Sequence, residues 1–202
     1  MKQIGILGGT FNPIHNGHLA IAGTAKEQFH LDKVLFLPSG VPYMKKQRKV
    51  LPFDIRLEMT ALAITDCPYF EVSKLEESDA ALGKNTYTFE TLQKLHDIDP
   101  DASYFFILGA DSLYTIENWK NPTLIFGNCT LLAAVRTSSR DSMIKQAQYL
   151  REKYCASVEI LEFAGIDISS TQIREKVQRK ESLRGLVPER VEQYILEHEL
   201  YG

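Results

Sequence analysis

Cysteine is scarce in this chain. The three present, Cys67, Cys129 and Cys155, are odd in number, widely spaced and free of any CxxC pair, which excludes a disulfide framework and a cysteine-held zinc site. Tryptophan occurs once, as Trp119. An excess of positive charge is also missing: 23 Lys and Arg against 26 Asp and Glu leave a formal net charge of −3, so there is no electrostatic footprint for nucleic acid or an anionic membrane. No apolar run approaches the roughly 20 residues that cross a bilayer, and Met1-Lys2-Gln3-Ile4 enters a strand-like run at once. A reducing, cytoplasmic compartment is expected. Composition leaves the oligomeric state open, and a homo-oligomer is compatible with it.

What is present is alternation. Strand-like apolar runs at Ile4-Leu7, Val34-Leu37, Phe70-Val72, Tyr104-Leu108, Thr130-Val135 and Val158-Leu161 are separated by stretches of helical period. Leu19, Ala22, Ala25 and Phe29 form one stripe, Leu57, Ala61 and Ile64 a second, and Phe89, Leu92 and Leu95 a third. Such alternation predicts a Rossmann-like α/β fold, a doubly wound and mainly parallel sheet with helices on both faces. At 202 residues one domain is expected, closing from about residue 168 with a helical segment. There Ile173 and Val177 precede a break near Gly185, and Pro188 opens a last helix carrying Val191, Ile195 and Leu196. Ligands of such sheets bind beyond the carboxyl ends of the strands. That rule selects the loops at Gly8 to His18, Pro38 to Lys49, Ser73 to Thr86, Gly109 to Trp119, and Arg136 to Ser139.

The first of these loops carries the strongest signal. Gly8-Gly9-Thr10-Phe11-Asn12-Pro13-Ile14-His15-Asn16-Gly17-His18 lies between a strand and an amphipathic stretch. Paired glycines let backbone approach a ligand closely, and a following helix start offers N–H groups and a positive dipole end to a phosphate. His15 and His18, three residues apart, can aim both rings at one charged group if the helix begins near His15. The spacing is neither a Gly-Lys-Ser/Thr phosphate loop nor a G-x-G-x-x-G dinucleotide turn. A second signal lies at the other end of the chain. In Ile168-Ser169-Ser170-Thr171-Gln172-Ile173-Arg174, a hydroxyl cluster can cap a helix while Arg174, one turn in, faces the same end.

Taken together these segments resemble the nucleotidylyltransferase superfamily, whose signatures G-G-T/S-F-N/D-P-x-H-x-G-H and I-S-S-T-x-I-R they match. The resemblance implies that Gly8, Gly9, Thr10, Phe11, His15 and His18 bind ATP at one end and Ser170, Thr171 and Arg174 at the other. Further segments resemble one family within it, the nicotinate mononucleotide adenylyltransferases, and the resemblance covers essentially the whole chain. Phe106-Ile107-Leu108-Gly109-Ala110-Asp111 is similar to its strand and G-A/G-D turn, which implies contacts from Gly109 and Asp111 to ribose. Asn85-Thr86-Tyr87-Thr88 is similar to its N/R-T-Y/S-T segment, which implies that Thr86 and Tyr87 hold the mononucleotide, together with Asn12 and Lys120. Trp119 stands where that family stacks a pyridine ring. Where relatives carry Pro-Pro-His-Lys, this chain has Pro42-Tyr43-Met44-Lys45 followed by Lys46, so Lys45 or Lys46 is assigned to phosphate. Arg136, followed here by Thr137-Ser138 rather than Pro-Gly, completes the mononucleotide set.

The residue types suit that chemistry. The implied reaction is attack of a mononucleotide phosphate oxygen on the α-phosphorus of ATP, and His15, His18, Lys45 and Arg174 are its candidate catalytic residues. A phosphate with a second pKa of about 6 is already ionised at neutral pH and needs no general base. The motifs supply donors and cations, with no Ser-His-Asp arrangement and no paired carboxylates. Asp111 stands apart from other carboxylates, so magnesium is expected to enter as its ATP complex. The expected partners are therefore ATP and nicotinate mononucleotide. The alternatives are phosphopantetheine, cytidylyl or nicotinamide mononucleotide transfer, or a non-catalytic nucleotide sensor on the same fold.

Overall fold

A computed structural model describes residues 1–42, 50–135, 140–163, 165 and 168–202. The chain alternates strands and helices: β1 (Gln3–Gly9), α1 (Asn16–Gln28), β2 (Lys33–Pro38), β3 (Val41–Pro42), α2 (Phe53–Ile64), β4 (Phe70–Val72), α3 (Glu77–Ala81), β5 (Asn85–Thr86), α4 (Thr88–Ile98), β6 (Ser103–Gly109), α5 (Ala110–Thr115), α6 (Pro122–Asn128), β7 (Thr130–Val135), α7 (Arg140–Tyr154), β8 (Val158–Glu162), α8 (Ser170–Gln178) and α9 (Glu189–Glu197). A 3₁₀ turn, Ile116–Asn118, follows α5.

Six strands form one sheet in the order β4-β2-β1-β6-β7-β8, and each adjacent pair is parallel. Because side chains alternate across a strand, each continuous apolar run feeds two cores. Ile4, Ile6, Tyr104, Phe106, Leu131 and Ala133 face one side, where Leu92 and Leu95 of α4, Leu113 of α5, Ile125 of α6 and Leu150 of α7 cover them. Leu7, Val34, Phe36, Ile107 and Leu132 face the other, under Ala22 and Ala25 of α1, Met59 of α2, Ile173 of α8 and Val191 and Ile195 of α9. This is the doubly wound arrangement expected from the alternation. Gly5 makes the crossing tight: a Cβ there would lie 2.8 Å from Leu31 Cδ1.

The winding reverses at the middle of the sheet. From β1 the chain runs outward through β2 to β4, then returns to lay β6 beside β1 and continues to β8. Neighbouring connections at the carboxyl ends of β1 and β6 therefore diverge to opposite faces and leave a crevice between Gly8-Gly9 and Gly109.

Local differences from the sequence reading have packing causes. The stretch from Gly109 to Trp119 is largely helical, because Leu113 and Ile116, three apart, are both fully buried. Ser73 to Thr86 contains α3 and the two-residue β5, which pairs with β3 in a separate parallel ladder. In α2 Leu57 and Ile64 of the expected stripe are buried and Ala61 is only half-buried, while the buried face also takes in Arg56, Met59, Thr60 and Ala63. Leu196 of α9 is exposed at 63%, so its inward stripe is Val191 and Ile195.

Candidate active site

The turn after β1 is built by a ring folding back under it. Phe11 takes a left-handed φ of 47° and is 2% exposed. A Cβ on Gly9 would lie 2.7 Å from that ring, so glycine is required for Phe11 to pack there. Phe11 thus supports the turn from below, against Phe36 and edge-on to His18 at 5.0 Å. Gly109 differs: a Cβ there would meet nothing within 4 Å, so its value is open space rather than relief of a clash.

Three clefts meet at this turn, and Gly8 lines all of them. The first, about 300 Å³, is walled by Thr10, Glu76, Thr86, Tyr87, Trp119 and Lys120. The second, about 260 Å³, is walled by His15, His18, Gly109, Ser112, Trp119 and Ile168. The third, about 370 Å³, is walled by Thr10, Asn12, His18, Ser170, Thr171 and Arg174. Trp119 divides the first from the second, and His18 borders both the second and the third.

His15 is the N-cap of α1, with extended backbone. Its N–H donates to His18 Nδ1 at 3.2 Å, so a neutral His18 carries its proton on Nε2. Two amides of the first turn are already engaged: Asn16 N–H with Leu186 C=O and His18 N–H with His15 C=O. The α1 terminus therefore presents imidazoles more than amides. Burial pushes the His15 pKa down to about 4, and its side chain faces the His18 backbone in a reciprocal capping arrangement at the start of α1.

At the far end, Ser169 and Gln172 form the reciprocal cap of α8: Gln172 N–H donates to Ser169 Oγ at 3.2 Å, and Ser169 N–H to Gln172 Oε1 at 2.8 Å. Ser170 Oγ donates to Pro13 C=O at 2.8 Å, while Arg174 donates to Asn12 C=O at 2.7 Å and Thr171 Oγ1 at 3.1 Å. The two motifs, far apart in sequence, thus touch. Asn12 is 5% exposed, and its Oδ1 accepts from Leu51 N–H at 3.3 Å and Tyr201 O–H at 3.0 Å. That oxygen braces the loop instead of lying open to a ligand.

On the Trp119 side, Lys120 Nζ sits 4.1 Å from the Tyr87 ring centroid, and Tyr87 is the N-cap of α4. Trp119 packs edge-on against Phe106 at 6.3 Å, and its Nε1 is buried without a partner. Asp111 is exposed on the first turn of α5 and is not on the wall of any of the three clefts, where Ser112 stands instead. Lys45, Lys46 and Arg136 lie outside the described residues. Arg56, Glu76, Ser112 and Tyr201 were not anticipated. Arg56 alone had a signal, since its spacing from Met59 and Ala63 sets a cation in the apolar stripe of α2.

Phosphate-ready turn, reversed winding and cap motif define a nucleotidyltransferase, and the chain matches the cytidylyltransferase-like family over residues 6–176. It is 40% identical over 202 residues, all of both chains, to a probable nicotinate-nucleotide adenylyltransferase of Lachnoclostridium phytofermentans. It is 37% identical, again over all of both chains, to one of Clostridium acetobutylicum. The chain belongs to this family of nicotinate-nucleotide adenylyltransferases. The fold also agrees with a solved structure, the Plasmodium falciparum nicotinic acid mononucleotide adenylyltransferase complexed with NaAD, at TM-score 0.80 and 17% identity, covering 100% of this chain and 98% of that one.

Proposed function

We propose that this protein transfers the adenylyl group of ATP to nicotinate mononucleotide, giving nicotinate adenine dinucleotide and pyrophosphate. The observation that carries the reading is the three-lobed cleft around Gly8. One lobe suits a nucleoside, one a polyphosphate and one a second nucleotide, and the lobes meet where a phosphate would change hands.

ATP lays its nucleoside in the lobe beside Gly109, Ser112 and Ile168. Its outer phosphates run toward Ser170, Thr171 and Arg174. The α-phosphate then falls at the boundary marked by His18, with His15 behind it. The mononucleotide enters the lobe of Thr86, Tyr87, Trp119 and Lys120, its phosphate directed at the same boundary. No group has to remove a proton from that phosphate near neutral pH. The protein instead aligns two anions and meets the charge that develops on the transferring group and departing pyrophosphate. His18 Nε2–H is one such donor. Magnesium would arrive on the phosphates of ATP, where it would offset their charge. Among the described residues no helix is long and apolar enough to cross a membrane, and free Cys67, Cys129 and Cys155 suit a reducing cytoplasm.

The test is a product assay with ATP and either nicotinate or nicotinamide mononucleotide, reading pyrophosphate and dinucleotide. Formation of nicotinate adenine dinucleotide at an efficiency at least about tenfold above the amide supports the reading; a roughly 1–3 kcal/mol penalty for facing a donor with a donor sets that scale. No dinucleotide from either overturns it.

A further inference from the structure

Among the described residues Arg56 is the largest fully buried side chain, at 1% exposure. It donates to four backbone carbonyls: Nε to Leu51 at 2.9 Å, Nη1 to Thr10 at 2.8 Å, and Nη2 to Ser39 at 2.8 Å and Gly40 at 3.1 Å. Thr10 belongs to the turn after β1; Ser39 and Gly40 follow β2. On the opposite side of the Gly40 residue stands a second buried ion. Glu76, 5% exposed, accepts Gly40 N–H at 2.9 Å through Oε2 and Thr91 Oγ1–H at 2.7 Å through Oε1. Thr91 lies on α4, one turn from the Tyr87 cap.

Gly40 fits there because it has no side chain. A Cβ would lie 2.9 Å from the Glu76 carbonyl oxygen and 3.0 Å from Thr86 Cγ2. A buried cation and a buried anion therefore grip one residue, the cation through its carbonyl and the anion through its N–H; the scheme above gives neither ion a nucleotide contact, although Glu76 also walls the first cleft. Burying two ions is costly unless they are richly hydrogen-bonded, and here that bonding makes a continuous path. It runs from the Thr10 carbonyl through Arg56, Gly40 and Glu76 to Thr91.

We infer that this Arg56–Gly40–Glu76 relay is a positioning device that fixes the mononucleotide lobe in register with the phosphate turn. The inference rests on the function proposed above. Each lobe can bind its own nucleotide without the relay. What the relay supplies is the in-line meeting of the two, and a misplacement of about 1 Å is enough to reduce rate by about 10²-fold.

The test uses E76Q, R56K, their double variant, and the pair T91S and T91V. The wild type is assayed first, which decides the function reading by itself; variants are then scored with whichever mononucleotide it turns over. Expected are a fall in kcat of at least about tenfold in E76Q, R56K and T91V, both KM values within about threefold, and retention of kcat in T91S, which keeps the hydroxyl. The double variant should lose no more than its worse parent, because both act on one peptide unit. If R56K does not fold, E76Q and the Thr91 pair decide. A kcat within about threefold of wild type in folded E76Q and T91V overturns the relay. So does a rise confined to the mononucleotide KM, which would make Glu76 a direct substrate contact.

Discussion

The imidazoles of His15 and His18 are stacked, with ring centroids 3.6 Å apart and planes 27° from parallel. Two rings this close resist carrying charge together, and His15 is the buried member, 7% exposed, with its pKa pushed down to about 4. The free site therefore holds a neutral His15 across the whole range around neutrality. Phosphates bring the opposite field, so a bound polyphosphate favours the protonated ring.

This has a consequence for stability against pH. The folded pKa lies below the unfolded value of about 6.5, so the unfolded chain binds more protons between the two. Stability is fully present above about pH 6.5 and declines as pH falls toward 4, by up to about 3 kcal/mol from this residue. Urea unfolding from pH 7.5 to 4.5 should show that decline in the wild type. In His15→Asn the decline should be smaller by the His15 contribution. Parallel curves for the two proteins would refute the assignment.

His18 carries the catalytic expectation. Its Nδ1 is held by the His15 N–H, which fixes the tautomer, and the residue lines both the second and the third clefts. His18→Ala should reduce kcat by about 10²–10³ while leaving most of the stability, the usual loss for one donor to developing charge. His18→Asn, which keeps an N–H donor in that region, should lose less. A folded His18→Ala enzyme at near wild-type rate contradicts the role.

Much of this site could be read before any coordinates. The six strands of the main sheet announced themselves because buried parallel strands need unbroken apolar runs, and Gly8-Gly9 and His15-Asn16-Gly17-His18 are too unusual a string to be a plain turn. Relations across the fold were not legible. Nothing near Tyr201 indicates that its hydroxyl reaches Asn12, because only the return of the segment after α9 brings them together. Asn12 illustrates the same limit: as a residue type it suits ligand binding, yet its Oδ1 braces Leu51 and Tyr201. Short elements such as β3, β5 and α3 escaped as well, since two to five residues cannot display a period.

Arg174 has two duties that one experiment can separate. It ties α8 to the Asn12 carbonyl at 2.7 Å and lines the cleft assigned to the outer phosphates. Arg174→Ala should raise the KM for ATP much more than that for the mononucleotide, and lower stability by about 1 kcal/mol for the lost hydrogen bond. Arg174→Lys should recover only part of the affinity, because a point charge cannot serve a carbonyl and a phosphate in the planar geometry of a guanidinium. Equal changes in both KM values would remove Arg174 from the ATP side. Thermal unfolding of the two variants checks the structural share.

Trp119 separates two clefts and is the only tryptophan in the chain, so intrinsic fluorescence reports on this position alone. Its Nε1 is buried without a partner, so Trp119→Phe gives up no internal hydrogen bond and should be close to neutral in stability. A cationic pyridine ring laid on the indole gains from both stacking and cation–π attraction, and losing them costs roughly 1–2 kcal/mol. Trp119→Ala should therefore raise the KM of both mononucleotides by about tenfold, while Trp119→Phe stays nearer the parent. The ratio of acid to amide substrate should hardly change in either variant, because the ring contact is common to both and the exocyclic group meets other atoms. Addition of mononucleotide to the wild type should alter the tryptophan emission directly. An unchanged KM in Trp119→Ala, or emission indifferent to saturating mononucleotide, would place the pyridine ring elsewhere and return Trp119 to a role as a packing residue against Phe106.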